Sequence, residues 1–157
     1  MPPLPPLARR ALLSGSAASI VSTALLIARG KRELDAPAAP MNGPSQWVWG
    51  PHAPYRDKPS IRHTVVGFGI HHLASIFWAA FYEYAIARRD ARDPVEVAKV
   101  AAGATAAAAF VDYCLTPERL TPGFQKRLSA PSLAIVYVGF AAGLAAATLA
   151  GATARRR

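Results

Sequence analysis

Apolar residues in this chain come in blocks. Four stretches, residues 10–28, 64–87, 94–115 and 132–151, are dominated by Ala, Leu, Ile, Val and Phe, and Pro, Gly and charged residues separate them. Each block is close to the ~20 residues that a helix rising ~1.5 Å per residue needs to cross a hydrocarbon core ~30 Å thick. The pattern predicts an all-α fold: an integral membrane four-helix bundle, one membrane domain over residues 1–157, with a Pro- and Trp-containing loop between helices 1 and 2. The third block contains KVAAGATAAAAFVDYCL and is rich in alanine. Alanine contributes little insertion energy, so this helix is expected to be sheltered by the others rather than to face lipid.

Inside the blocks the spacing assigns faces. In the fourth, Gly139, Gly143, Ala147 and Gly151 recur every four residues and form a small-residue ridge that lets another backbone approach. The first block repeats the device with Ala11, Gly15, Ser19 and Thr23, beside a second ridge of Ser14, Ala18 and Ser22. Leu13, Ile20 and Ile27 lie on the other side and are expected to face lipid. Such ridges serve packing within one chain or a homodimer seam, and the intrachain use is the expectation. The serines can bond to carbonyls one turn back and need no ligand.

The second block, GFGIHHLASIFWAAFYEY over residues 67–84, is apolar yet contains His71, His72, Ser75 and Glu83. On a helical wheel its polar groups, Tyr84 excepted, fall within an arc of about 120°. Val66, Ile70, Leu73, Phe77, Ala80 and Phe81 fill the opposite arc. Ionisable groups in a span are costly, so the polar arc should turn to protein or trapped water. Glu83 sits about one turn before Arg88 and Arg89 and is expected to pair with one of them at the interface. Asp112 lies near the end of the third block. For both carboxylates a structural role, as an interfacial ion pair or helix-to-helix hydrogen bond, is preferred to a proton or ion path. The adjacent imidazoles of His71 and His72 leave structural and functional roles open. The candidate intramembrane polar face is thus His71, His72, Ser75, Glu83 and Asp112.

Cofactor chemistry finds little support. All four histidines, His52, His63, His71 and His72, lie in the first loop or on the second helix, whereas a bis-histidine haem takes ligands from two facing helices. Eleven helical residues put His72 and Glu83 about 16 Å apart, too far to share an ion. HExxH, Walker, GxSxG and paired-carboxylate motifs are absent from the sequence. No catalytic residue, metal ligand or cofactor is predicted.

The loops carry structure of their own. In the first, six prolines forbid a long helix, and Trp47 and Trp49 favour a bilayer interface. PMNGPSQWVWG is expected to form a short interfacial turn or helix lying on the bundle mouth. In the loop LTPERLTPGF, Thr116 and Thr121 are each expected to cap a helical turn that has proline at its first position.

Composition agrees with the blocks: 52% of the 157 residues are hydrophobic. The net charge of +9 comes from residues that flank the helices rather than forming one basic, aromatic-lined face, so nucleic acid is not an expected partner. The single cysteine, Cys114, excludes an intramolecular disulfide and a cysteine zinc site, and reads as a buried small apolar residue. The first apolar run exceeds a signal-peptide core and ends in ARGKRE, which predicts an uncleaved helix. With four spans both termini share a side. Nine Lys and Arg fall on each side, counting Arg92 and Arg155 to Arg157 with the termini, so the positive-inside rule ties. The RRR end beside the last span favours cytoplasmic termini.

APMNGPSQWVWG, RHTVVGFGIHH with FWAAFYE, VDYCLTPERLTPGF and YVGFAAGLA, taken in that order, resemble small four-span inner-membrane proteins of proteobacteria. The likeness spans residues 11–147. It implies a bacterial inner (plasma) membrane location and brings no activity, substrate or catalytic residue with it. An excess of arginine over lysine, 14 to 4, with abundant alanine suits a GC-rich bacterial gene. Two function classes follow. One is a non-enzymatic structural or accessory membrane component, with lipid, further copies or a larger complex as partners. The other is a small oligomeric transporter or proton- and ion-handling protein that uses the polar face.

Overall fold

The computed structural model describes residues 6–91 and 93–154, and Arg92 and Arg155 to Arg157, counted above for orientation, lie outside them. Among the described residues four helices are long and apolar enough to cross a membrane: Pro6–Leu34, Ile61–Arg89, Pro94–Leu115 and Ala130–Thr153. The chain is all-helical, a multi-pass membrane bundle, as the blocked pattern predicts. Every span is longer than its apolar block or equal to it. The first helix runs on through Arg29, Lys31 and Arg32 because helix propensity does not stop where hydropathy does. It ends at Asp35, whose φ of 52° is left-handed.

The ends have identifiable chemistry. The second helix enters through a π-helical turn, Ile61–Val65, with the Ser60 side chain accepting from the His63 N–H, and ends at Asp90 in the left-handed region. Asp93 caps the third helix by accepting from the N–H groups of Val95 and Glu96, with Pro94 in the first turn. The third helix leaves through a second π-helical turn, Val111–Leu115. Glu33, on the first helix, accepts from the backbone N–H and hydroxyl of Ser129 at 2.9 Å each and from the Ser132 hydroxyl. A carboxylate thereby covers the N-terminus of the fourth helix from outside it.

The first helix is the hub. It packs most extensively on the fourth and second helices, while the third packs on the fourth and, more sparsely, on the second. The reason is in the ridges. Ala11, Ser14, Ala18, Ser19, Ser22 and Leu26 are all buried, and Leu13 and Ile20, at 60% and 62% exposure, face outward as expected. A Cβ on Gly15 would stand 2.6 Å from the Cα of Ile76 on the second helix, and one on Gly143 would stand 2.6 Å from the Cα of Ala18. Both glycines therefore mark backbone-to-backbone contact. Gly139 receives the Leu25 side chain, and the ridge opens by Gly151, which has nothing within 4 Å. Ala147 lies between these two regimes and is half-buried.

Two expectations are overturned here. The alanine-rich third helix is peripheral, with Ala102, Gly103, Ala106, Ala107 and Phe110 exposed along one side. Its Val97, Val100, Ala101, Thr105 and Ala108 face the bundle, so low insertion energy does not decide shelter; the tightest seams go to the helices with glycine and serine ridges. Cys114 is exposed rather than buried, because the π-helical turn carries it to the outer side of the third helix.

Candidate functional site

The polar residues inside the bundle sort into three levels. At the loop end, the segment 39–49 is a plug set into the mouth, more deeply than a turn lying on it. It winds as a helical turn Ala39–Asn42, a 3₁₀ turn Gly43–Ser45 and a second helical turn Gln46–Trp49. Every residue from Ala39 to Gln46 is buried, and Trp47 and Trp49 remain exposed at the rim. The buried amides are satisfied, as burial demands. Asn42 donates to the carbonyls of Arg56 at 2.7 Å and Lys58 at 3.2 Å and accepts from the Thr64 hydroxyl at 2.7 Å. Gln46 donates to the Thr121 carbonyl at 2.7 Å and accepts from Lys126 at 3.1 Å. One loop is thereby stitched to the other and to the second helix. Backbone contact does the rest: a Cβ on Gly67 would fall 2.0 Å from the Met41 carbonyl oxygen, and Gly43 and Gly123 abut.

The threonines of the other loop do not cap forward. Thr116 donates back to the Val111 carbonyl at 2.8 Å and Thr121 to the Glu118 carbonyl at 2.8 Å. The turns Glu118–Leu120 and Phe124–Lys126 start at Pro117 and Gly123 instead, without side-chain caps. The Thr121 hydroxyl accepts instead from the side-chain amides of Gln46 at 3.2 Å and Gln125 at 2.9 Å.

Below the plug, the second helix meets the first through its histidines. The rings part company, one to each side of the first helix. His71 Nε2 is 2.9 Å from the Ser22 hydroxyl, which itself donates to the Ala18 carbonyl at 2.7 Å, so the imidazole N–H donates to Ser22. Its ring also stands edge-on to Phe124. His72 Nε2 is 3.5 Å from the Ser16 hydroxyl, its ring stacks on Phe68, and its buried Nδ1 has no hydrogen-bond partner. Ser75 donates to the His71 carbonyl at 2.7 Å. Across the bundle, Tyr137 on the fourth helix donates to Asp112 at 2.8 Å.

His71, Ser75 and Asp112 share a cavity of about 620 Å³, with Ser22 and Tyr137 also in its wall. Apart from Thr116 its remaining lining is largely apolar, including Ile70, Leu73, Phe77, Trp78, Val136 and Phe140. It is a groove rather than a chamber: Leu73 and Phe77 on its edge are 68% and 57% exposed. The groove opens between the second and third helices, whose contact is sparser than the seams made by the first helix.

The third level is at the other end of the bundle. Glu83 is only 2% exposed. Its partner is Arg10 of the first helix, at 3.7 Å, and not the expected Arg88 or Arg89, which are exposed on the far side of the last turn. Thr148 of the fourth helix donates to Glu83 at 3.2 Å and accepts from the Tyr82 hydroxyl at 2.9 Å. A second cavity of about 440 Å³ adjoins Arg10, Glu83 and Thr148.

The predicted polar face is therefore divided. The structure brings His71, Ser75 and Asp112 to one groove, sends His72 to the first helix, and places Glu83 with Arg10 at the opposite end. Arg10, Asn42, Gln46, Tyr137 and Thr148 were not singled out from the sequence. Arg10 could have been, since it stands one turn before Ser14 on the buried ridge; the loop amides and Tyr137 carry no periodic signal. Comparison with family models, curated proteins and solved structures finds no match to this chain.

Proposed function

We propose that this chain is a non-enzymatic structural or accessory component of a membrane, located in a bacterial inner membrane with both termini cytoplasmic. One observation carries the functional part: the helix-to-helix polar contacts of the spans lie at separate levels, His71 on Ser22 and Asp112 on Tyr137 toward the loop end, and Glu83 on Arg10 and Thr148 at the other. Between the His71 level and the Glu83 level the bundle is close-packed by Ala18, Ala79, Tyr82, Phe140 and Leu144, all buried. Proton or ion transfer needs a continuous series of polar groups or water, and a dry packed layer interrupts it. The ion-handling reading is thus the weaker one for a single bundle. The resemblance in the sequence and the arginine-rich composition support the bacterial location, and the adjacent arginines at the last span support cytoplasmic termini.

The reading is tested by reconstitution. In vesicles holding a pH-sensitive dye, the protein should give no proton flux above empty vesicles under an imposed potential, while native membranes run on a gel in mild detergent should show it in a larger assembly. Flux that disappears in Glu83→Gln or His71→Leu would replace this function with ion handling. Thiol labelling from one side of the membrane, in a Cys114→Ala background, checks the topology: cysteines at the exposed positions 47 and 119 should react together, and one at position 89 should react from the opposite, cytoplasmic side.

A further inference from the structure

We propose that the groove between the second and third helices holds one single-chain amphiphile of the bilayer, its tail along the second helix and a hydrogen-bond-donating head at Asp112. The groove is graded along its length. At the loop end it is lined by Trp47, Thr116 and Asp112, and tryptophan marks the level of the membrane interface. Going inward, the lining of the second helix runs from Ile70 to Trp78, eight residues or about 12 Å deeper. A polar rim and an apolar depth match the polarity of a molecule that enters from the interface with its tail first.

The state of the polar groups separates head from tail. His71, Ser22 and Ser75 are already paired with one another and with main-chain carbonyls, so the deep wall asks nothing of an occupant. Asp112 differs. Among the described residues it receives one hydrogen bond, from Tyr137, although a carboxylate has room for several. A carboxylate so placed selects a donor, such as a hydroxyl or an ammonium, over a head that only accepts. The cavity size of about 620 Å³ falls within the ~300–1,000 Å³ usual for small-molecule sites. The open side, at Leu73 and Phe77, faces the hydrocarbon from which a lipid would arrive.

The test uses the full chain in phosphatidylcholine nanodiscs, with Trp47→Phe and Trp49→Phe leaving Trp78 as the only tryptophan. A fatty alcohol brominated in mid-chain is added, because bromine quenches indole fluorescence on contact. Quenching of Trp78 should saturate at a mole fraction several-fold below that needed for a tryptophan at position 20, introduced as Ile20→Trp with Trp78→Phe on the outward face of the first helix, away from the groove. Ala74→Phe fills the groove and should move the Trp78 curve onto that of the control. Asp112→Leu with Tyr137→Phe, which leaves no orphaned hydroxyl, should raise the half-quenching mole fraction several-fold.

Brominated phosphatidylcholine, whose head donates no hydrogen bond, should quench Trp78 without saturation, and this comparison needs no groove variant to fold. Coincident curves at positions 78 and 20 in response to the alcohol would overturn the proposal. So would equal saturation by the alcohol and the phosphatidylcholine, or a Trp78 signal that follows the protein-to-lipid ratio alone, which would put a second copy in the groove.

Discussion

Adding one methyl group to Gly143 should loosen the seam on which the bundle depends. In Gly143→Ala the new Cβ would lie 2.6 Å from Ala18 Cα and 2.8 Å from Ala18 N. Ordinary carbon contacts are ~3.5–4.0 Å, so the first and fourth helices must part locally by about 1 Å. No flexible side-chain tip can yield, because the obstacle is backbone. Ala18 and Leu144 are fully buried on either side, and a gap of that size costs their neighbours a quarter to a half of each contact energy. Overpacking of this kind costs ~1–3 kcal/mol, against a gain of ~1 kcal/mol because alanine is the better helix former. The net expectation is a loss of about 0 to 2 kcal/mol for alanine, or about 1 to 3 kcal/mol relative to a glycine-to-alanine change without the clash, and about 3 kcal/mol or more for Gly143→Leu. Gly103→Ala is the matched control, since nothing lies within 4 Å of that position. The assay is unfolding in mixed detergent micelles at rising sodium dodecyl sulfate, read as the midpoint for each variant. If Gly143→Ala and Gly103→Ala share a midpoint, the seam is not where the backbone distances put it and the reasoning is refuted.

Gly67→Ala should unseat the plug, since its Cβ would fall 2.0 Å from the Met41 carbonyl oxygen; a cysteine at the buried position 45, in a Cys114→Ala background, should then react with a water-soluble maleimide many times faster. The two histidines should behave differently: His71→Leu loses the 2.9 Å bond to Ser22 and should lower stability by ~1–2 kcal/mol, whereas His72→Leu removes a long contact and an unpaired buried nitrogen and should be neutral or stabilising in the same midpoint assay. Arg10→Met leaves Glu83 charged and unpaired in a nearly dry site, a loss of ~1–3 kcal/mol after discounting for the partial exposure of Arg10, and Glu83→Gln added to it should restore most of that; additive losses would show that the 3.7 Å pair is not coupled.

The legible part of this fold is the part written in periods. Blocks of about twenty apolar residues specify spans, and the four-residue spacing at Gly15, Ser19, Gly139 and Gly143 specifies which side of two helices is buried. Neither signal says who meets whom. The hub position of the first helix, and the peripheral place of the third, follow from comparing seams in three dimensions. Glu83 was assigned to Arg88 or Arg89 because they are near in sequence; the bundle instead carries Arg10 alongside it from a helix that runs the other way. Cys114 misled because small and apolar usually means buried, and the π-helical turn at Val111–Leu115 alters the register that a wheel assumes. The plug was half legible. Its prolines and tryptophans announced turns and an interface, but Asn42 and Gln46 are polar residues in a polar-looking loop, and their burial depends on acceptors 14 to 75 residues away.

The seam between the first and fourth helices also sets a schedule for making the protein. The first helix leaves the ribosome well before the fourth, the helix with which it makes its broadest contact. For most of translation it must rest in lipid with one flank of its ridge uncovered. Ser14 and Ser22 are suited to the wait, because each hydroxyl is closed on a carbonyl of its own helix, Arg10 and Ala18 respectively, and presents no unmet donor to hydrocarbon. The arrival of the fourth helix is thus the event that turns four inserted helices into one body.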